Sequence, residues 1–383
     1  MLTSCPFSLE TKKDIIEFGE KDPFNTQNIL KGIIYRKQGP LYGTVYITHV
    51  NGKKMPQIVY SAPKMHYPFE EYDVETKQFR NFKIPEADTV ELYTKLDGTA
   101  IISYTYTDGK ENFLTYKTRL SPFLHASKFG NYYGMWKEIL EMYPQINKEC
   151  KDINHNHVFE LYGKRNRVLV DYDVPLDTRL LFSIDANNNS IIPPSRVPNI
   201  SPKLEPLETI SINDISEKQY LKYQQDLSDN LTVDEENEII KGDEGAVWYF
   251  IKDNKVSQIK CKPDEILKYH WAPEAIPKSA VYTTCFNAFE NFEEPSIKDV
   301  MQLLEEEFTI DKIEKSRRRI EVALIKAKDN KRLQYEVSQI YDKYGMDINK
   351  NKAKVMQEVC KRLPNERASR IYTLLNAYVK GVM

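Results

Sequence analysis

A handful of charged side chains in this chain have the types and spacing that chemistry on a phosphate requires. Lys95 stands in the run Lys95-Leu96-Asp97-Gly98-Thr99, between the strand-like stretches Thr89-Val90-Glu91-Leu92-Tyr93-Thr94 and Ala100-Ile101-Ile102-Ser103-Tyr104. A lysine at the end of a strand, with a glycine-permitted turn behind it, points its amine into whatever pocket the sheet forms. As a free base such an amine attacks phosphorus. Taken alone, the run has a plainer reading, because Asp-Gly commonly closes a hairpin and leaves the lysine in solvent. Glu160 lies in Phe159-Glu160-Leu161-Tyr162-Gly163, an otherwise apolar strand. Burying a lone carboxylate is costly, so Glu160 has a hydrogen-bonding partner or lines a polar cleft. Glu244, in Asp243-Glu244-Gly245-Ala246-Val247, precedes an apolar strand and is placed to face a metal ion. Lys260 and Lys262 alternate along a strand and share a face. Two neighbouring cations repel unless an anion lies between them, and a triphosphate would serve.

The elements that must position these groups read as strands and turns up to about residue 270. Thr44-Val45-Tyr46-Ile47-Thr48, Ile58-Val59-Tyr60, Val158-Phe159-Glu160-Leu161-Tyr162 and Ala246-Val247-Trp248-Tyr249-Phe250-Ile251 are strand candidates, separated by turns such as Asn51-Gly52 and Asp108-Gly109. A helix is expected over 133–143, with Met135, Trp136, Ile139, Leu140 and Met142 on its apolar side. The polar, acidic stretch 204–243, with a helix near 217–227, reads as an insertion or lid rather than a core element. After Pro277 helical spacing takes over: Val300, Leu303, Leu304 and Phe308; Ile313, Ile320 and Leu324; Val337, Ile340 and Tyr341; Ile371, Leu374, Leu375 and Tyr378. The expected division is an N-terminal unit, 1–275, and an all-helical unit, 276–383.

The 383 residues suffice for two or three domains. No run approaches the roughly 18 apolar residues of a membrane span, and the N-terminus lacks a basic-then-apolar signal pattern. Five scattered cysteines suggest neither a zinc site nor a disulfide frame, which points to a reducing cytosol. The net charge of −2 hides an asymmetry: residues 311–383 carry 18 Lys and Arg against 9 Asp and Glu, the rest of the chain 36 against 47. Such segregation suits a helical unit that meets a polyanion, or one with an ordinary solvated face.

The order Lys95-x-Asp97-Gly98, Phe159-Glu160-Leu161-Tyr162-Gly163, Leu180-Leu181-Phe182-Ser183-Ile184-Asp185, Glu244-Gly245-Ala246-Val247 and Lys260-x-Lys262 resembles the covalent nucleotidyltransferases: ATP-dependent DNA ligases, RNA ligases and mRNA capping enzymes. The resemblance covers roughly residues 35 to 270. Thr99-Ala100, where DNA ligases and capping enzymes carry an arginine, looks more like RNA ligases. Ser61-Ala62-Pro63-Lys64-Met65-His66-Tyr67-Pro68-Phe69 and Arg165-Asn166-Arg167-Val168-Leu169-Val170-Asp171-Tyr172 are similar to the phage T4 RNA ligase 1 type, which seals broken tRNA and ends in a helical domain. The implied fold is α+β: an ATP-grasp-like ligase domain of antiparallel sheets with flanking helices, followed by helices instead of an OB-fold.

The resemblance also implies roles. Lys95 would take AMP from ATP, with Lys260 and Lys262 holding the phosphates. Glu160 would bind the ribose, and Phe182 would pack near the adenine. Thr94, Asp97, Gly98, Lys117 and Arg119 would complete the nucleotide site, Arg119 being favoured over Lys117. Glu244, with Asp97, would hold Mg²⁺ or Mn²⁺. The implied partner is RNA with 5′-phosphate and 3′-hydroxyl ends, prepared by a kinase-phosphatase acting upstream. Two departures stand out. Tyr42-Gly43 occupies the place of a family Arg-Gly, with Arg36 or Lys64 as substitutes, and Glu265-Ile266 replaces an aromatic pair. Other readings are a DNA ligase or capping-type enzyme, and an RNA-binding relative without catalysis.

Overall fold

The computed structural model describes residues 4–7, 14–37, 39–73, 75–124, 131–166, 170–197, 199–234, 239–253, 255–271, 276, 278–305, 307–344 and 348–379. The chain begins with a four-stranded meander, β1 (Ile15–Lys21), β2 (Ile29–Tyr35), β3 (Val45–Val50) and β4 (Lys53–Val59). Leu30, Ile34, Val45 and Ile47 form its buried face and pack against Tyr104, Tyr106 and Phe123 of the following unit. A short hairpin, β5 (Glu71–Asp73) and β6 (Gln78–Arg80), comes next.

The strands that carry the chemistry are β7 (Thr89–Thr94), β8 (Thr99–Thr107), β9 (Asn112–Lys117), β10 (His155–Tyr162), β11 (Asp177–Asp185), β12 (Ile191–Ile192) and β13 (Glu208–Ser211), then β14 (Thr232–Asp234), β15 (Ile239–Lys241), β16 (Ala246–Lys252) and β17 (Lys255–Cys261). Nine of them form two main antiparallel sheets, ordered β12-β11-β10-β8-β9 and β13-β7-β16-β17, and β14 pairs with β15 in a separate two-stranded sheet. Inward side chains of both sheets meet in one apolar layer, in which Ile102, Val158, Phe182 and Ile184 face Tyr93, Val247, Tyr249 and Ile251. The hairpin reading of Lys95-Leu96-Asp97-Gly98 does not hold: β7 and β8 belong to different sheets. The run is a crossover, which puts Lys95 at the mouth between the layers.

Helices α1 (Tyr132–Met142), α2 (Gln145–Glu149) and α3 (Glu217–Asp229) flank the sheets. The expected apolar side of α1 is buried at Met135, Trp136, Ile139 and Leu140, while Met142 is exposed. Two parts of the stretch 204–243 pack on the core, against the expectation of an insertion or lid. β13 extends the second sheet, and Tyr220 is fully buried in the cluster around Trp248. Its average polarity conceals one stripe, Tyr220, Tyr223 and Leu227, at helical spacing.

The helices then run α4 (Asp264–Trp271), α5 (Lys278–Asn291), α6 (Ile297–Leu304), α7 (Ile310–Lys315), α8 (Arg317–Tyr344), α9 (Ile348–Arg362) and α10 (Ala368–Val379). Leu267 of α4 packs into the core of the second sheet, whereas Ile276 joins a helical core with Val281, Phe289, Val300 and Ile320. The residues around the expected boundary, 272–275 and 277, lie outside the described residues. A second helical core gathers Leu333, Val337, Val355, Val359, Ile371 and Leu375. The 28 residues of α8, about 42 Å at 1.5 Å per residue, run through both cores. Among the described residues, no helix is long and apolar enough to cross a membrane.

Candidate active site

Between the two sheets lies a cavity of about 180 Å³, lined by residues from both layers and from the helical unit. The backbone sets the position of Lys95. Its amide donates to the Gly245 carbonyl at 2.8 Å, extending the β7–β16 ladder by one step. Gly245 sits at φ +153°, and a Cβ there would lie 2.2 Å from the Cys261 carbonyl oxygen. Only glycine fits that passage, which turns Glu244 inward just before β16. Gly98 is confined in the same way, since an added Cβ would meet the Leu161 carbonyl oxygen at 2.1 Å.

Glu244 is 3 % exposed and bridges two cations. Its Oε2 accepts from Lys95 Nζ, and its Oε1 lies 2.8 Å from Lys262 Nζ. Burial works against its charge, but Lys262 and Lys95 outweigh that cost and hold the carboxyl below its ordinary range. Burial likewise opposes the charge on Lys262, yet Glu244 and Glu307 keep its pKa well above the usual lysine value. Lys260 is 5 % exposed, its ammonium 4.6 Å from the centre of the Tyr67 ring, and burial pulls its pKa down to about 8. The strand carrying both lysines is braced from behind, because Tyr220 Oη donates to the Lys260 carbonyl and Gln224 Nε2 to the Lys262 carbonyl.

Glu160 projects from β10 into the cavity from the opposite sheet, with Phe182 of β11 beside it. Burial pushes the Glu160 carboxyl up to about 8, against an opposing pull from Lys95. Near neutrality it is therefore largely protonated and able to donate a hydrogen bond. Thr94, Gly98, Lys64 and Arg119 also line the cavity. The Ser61–Phe69 run places Lys64 there: it passes beside β17, with the Lys260 amide donating to the His66 carbonyl at 2.9 Å.

Other expected site residues stand elsewhere. Asp97 is nearly buried and is not among the lining residues. Its Oδ2 accepts from the Val170 amide at 2.7 Å, and its own amide donates to Tyr172 Oη at 2.8 Å. That pins the segment after Asn166 across the Lys95 crossover, although Arg167, Val168 and Leu169 lie outside the described residues. Lys117 is not among the lining residues and is fully buried, donating to the carbonyls of Gly43 (3.2 Å) and Arg119 (3.1 Å) and to Ser61 Oγ (3.3 Å). Burial drives its pKa well below the ordinary lysine value. Arg36 follows β2 and is not among the lining residues. Tyr42 is 2 % exposed, with the Arg119 guanidinium 5.7 Å from its ring centre. Arg119 Nε also donates to the Ala62 carbonyl, so Tyr42 and Lys117 form the frame that aims Arg119.

Two residues of the helical unit, Glu307 and Glu305, contact lysines of the site, and the sequence carried no signal for either. Glu307, between α6 and α7, places one oxygen 3.3 Å from Lys260 Nζ and 3.2 Å from Lys262 Nζ. Lys64 Nζ donates to the Glu305 carbonyl at 2.5 Å. A carboxylate 45 residues from Lys262 in sequence has no local pattern that announces it. Among the described residues, no group of three or more His, Cys, Asp and Glu is gathered to hold a metal ion.

Chemically, the cavity offers an amine, a protonatable carboxyl, an apolar slot and a rank of cations, the parts that a polyphosphate ester needs. No family model and no curated protein matches the chain. Among solved structures, the chain is similar to an archaeal ATP-dependent RNA ligase in two forms. One has 16% identity and a TM-score of 0.41 over 95% of this chain and 92% of that one. The other has 15% identity and a TM-score of 0.41, over 81% and 74%. It is also similar to the Naegleria gruberi RNA ligase with PPi, at 13% identity and a TM-score of 0.34, over 56% of this chain and 65% of that one. The functional reading rests on the residues of the cavity.

Proposed function

We propose that this chain is an ATP-dependent RNA ligase that joins a 5′-phosphate to a 3′-hydroxyl through lysyl-AMP and an RNA-adenylate. The observation that carries the reading is the shared carboxylate: the buried Glu244 joins Lys262 to Lys95, which lines a cavity together with Lys260, Glu160 and Phe182. Lys95, as the free amine with its protons released to solvent, forms an N–P bond to the α-phosphorus of ATP. The bond to the bridging oxygen breaks, and its electron pair leaves with pyrophosphate. Lys260 and Lys262 are placed to hold that leaving group and to offset its growing charge. Arg119 and Lys64 supply further positive charge at the cavity wall. Glu160 reaches the ribose hydroxyls, and Phe182 forms one wall for the base.

Glu244 suits a divalent ion as a protein carboxylate, with phosphate oxygens and water among the remaining ligands, which is how Mg²⁺ is commonly held. Asp97, whose Oδ2 accepts from the Val170 amide, is the second carboxylate of this proposed ion site. A bound ion would screen the phosphate charge.

Thr99-Ala100 after the motif glycine, and helices where an OB-fold would stand, favour RNA ligation over DNA ligation or capping. The finer reading is repair of broken tRNA in the manner of the phage T4 RNA ligase 1 type, after a kinase-phosphatase has prepared the ends. In it the basic helical unit grips the RNA. The test is incubation with radiolabelled ATP or GTP and Mg²⁺, followed by denaturing electrophoresis. We expect a label that survives denaturation and comes from ATP rather than GTP. No label from either nucleotide would sink the proposal. Nicked duplex, single-stranded RNA and cleaved tRNA stem-loops then sort the acceptors.

A further inference from the structure

Lys95 and Lys260 line the cavity, and Lys262 is joined to Lys95 through Glu244, so three cationic side chains meet one buried negative charge. Glu160, lifted to about 8, adds little charge near neutrality. The site therefore calls for an additional anion, and the helical unit supplies it. Glu307 sets a single carboxylate oxygen between the two strand lysines, at 3.3 and 3.2 Å. Both lysines are nearly inaccessible, with 6 % and 1 % of their side chains exposed, whereas the Glu307 side chain is 38 % exposed. The cations are thus fixed by the sheet, and the anion comes from the solvent side on a connection between two helices. That is how a displaceable ligand sits, in contrast to Glu244, whose side chain is 4 % exposed.

We infer that Glu307 is an internal competitor for the polyphosphate subsite at Lys260 and Lys262, and that a nucleotide triphosphate or pyrophosphate must displace it to bind. The inference takes from the proposed function only the identity of the natural anion. A ligand that ends at the α-phosphate does not meet Glu307, whereas one carrying β- and γ-phosphates does. The carboxylate therefore weakens triphosphate and pyrophosphate binding without weakening that of AMP. It also keeps the two buried lysines compensated when no nucleotide is present, which spares the fold an uncompensated pair of like charges.

The test is calorimetric titration of full-length wild type and Glu307→Gln with inorganic tripolyphosphate in Mg²⁺, and separately with AMP. Glu294→Gln, which removes a glutamate exposed on the helical unit, controls for the loss of one charge. A competitor present nine-tenths of the time lowers apparent affinity about tenfold. Glu307→Gln is therefore expected to bind tripolyphosphate roughly tenfold more tightly than wild type, with AMP affinity and the Glu294→Gln variant unchanged. Equal or weaker tripolyphosphate binding by Glu307→Gln, with a wild-type melting curve, overturns the inference. If Glu307→Gln melts early, Glu307→Asp decides: its shorter carboxylate should also bind tripolyphosphate more tightly, and wild-type affinity there overturns the inference. Tighter tripolyphosphate binding in a protein that forms no lysyl-AMP would instead sink the ligase reading and leave the competitor standing.

Discussion

Lys95 and Glu244 form the pair on which the proposed chemistry depends. Lys95→Ala is expected to abolish the covalent label from ATP while leaving the melting temperature near that of wild type, because the amine sits at the cavity mouth and not in a core. Retention of label in that variant would assign the nucleophile elsewhere. Glu244→Ala differs, since it strands Lys262 with a weaker, more exposed partner. It should lose the label and about 3 kcal/mol of stability, as expected when one member of a buried ion pair is removed. Chemical denaturation checks it. Glu160 gives a pH signature. Its folded pKa, about 8, lies above the ordinary value of 4.5. Between those limits the unfolded chain is ionised there and the folded one holds the proton, so the group's contribution to stability falls as pH rises from about 4.5 to 8. Glu160→Gln has no such slope. Its stability relative to wild type should improve by about 3–4 kcal/mol between pH 5 and pH 8, as followed by melting scans in the absence of nucleotide. A difference independent of pH would contradict the assignment.

At the scale of elements, the site depends on a crossover and on a brace. The crossover from β7 to β8 is tight because Gly98 touches Leu161 and Gly245 touches Cys261. Gly245→Ala must strain the backbone as well as displace Cys261, so a cost of about 2 kcal/mol or more is expected. Lysyl-AMP formation should fall further than the loss of folded protein explains, since Glu244 is aimed by that same residue. The brace is α3. Tyr220 is fully buried, and its hydroxyl holds the Lys260 carbonyl. Tyr220→Ala should cost about 3–5 kcal/mol, the range for emptying a large aromatic site. Tyr220→Phe keeps the packing and loses one buried hydrogen bond, about 1 kcal/mol. A Tyr220→Ala variant as stable as wild type would return 204–243 to the status of an insertion.

For the whole molecule, two sheets enclose the cavity while the helical unit reaches back to it through Lys64–Glu305 and the Glu307 contacts. Some of the positive charge of that unit is paired within it, as Arg317 with Glu314 and Arg370 with Asp329 and Glu366. A chain ending at residue 276 should still form lysyl-AMP but seal RNA poorly, and its RNA affinity should depend less steeply on salt as phosphate contacts are lost. Undiminished sealing by the truncated chain would remove the helical unit from RNA binding.

Lys95, Glu160, Glu244 and the Lys260/Lys262 alternation were legible in the sequence because each is a charged group in an apolar strand, where only a polar cleft relieves the burial cost. Strand and helix character followed from apolar periods of two and of about 3.6, which are local properties of the chain. The direction of the Lys95 run was not local: Asp-Gly is compatible with a hairpin, and sheet pairing made it a crossover. The same holds for the contacts of Asp97 with Val170 and of Lys117 with Gly43, Ser61 and Arg119. Glu307 is the extreme case, a glutamate on a helical connection with no pattern around it. Residue type and period determined which groups could do chemistry. Only tertiary packing, which sets distances between segments far apart in the chain, decided which of them meet.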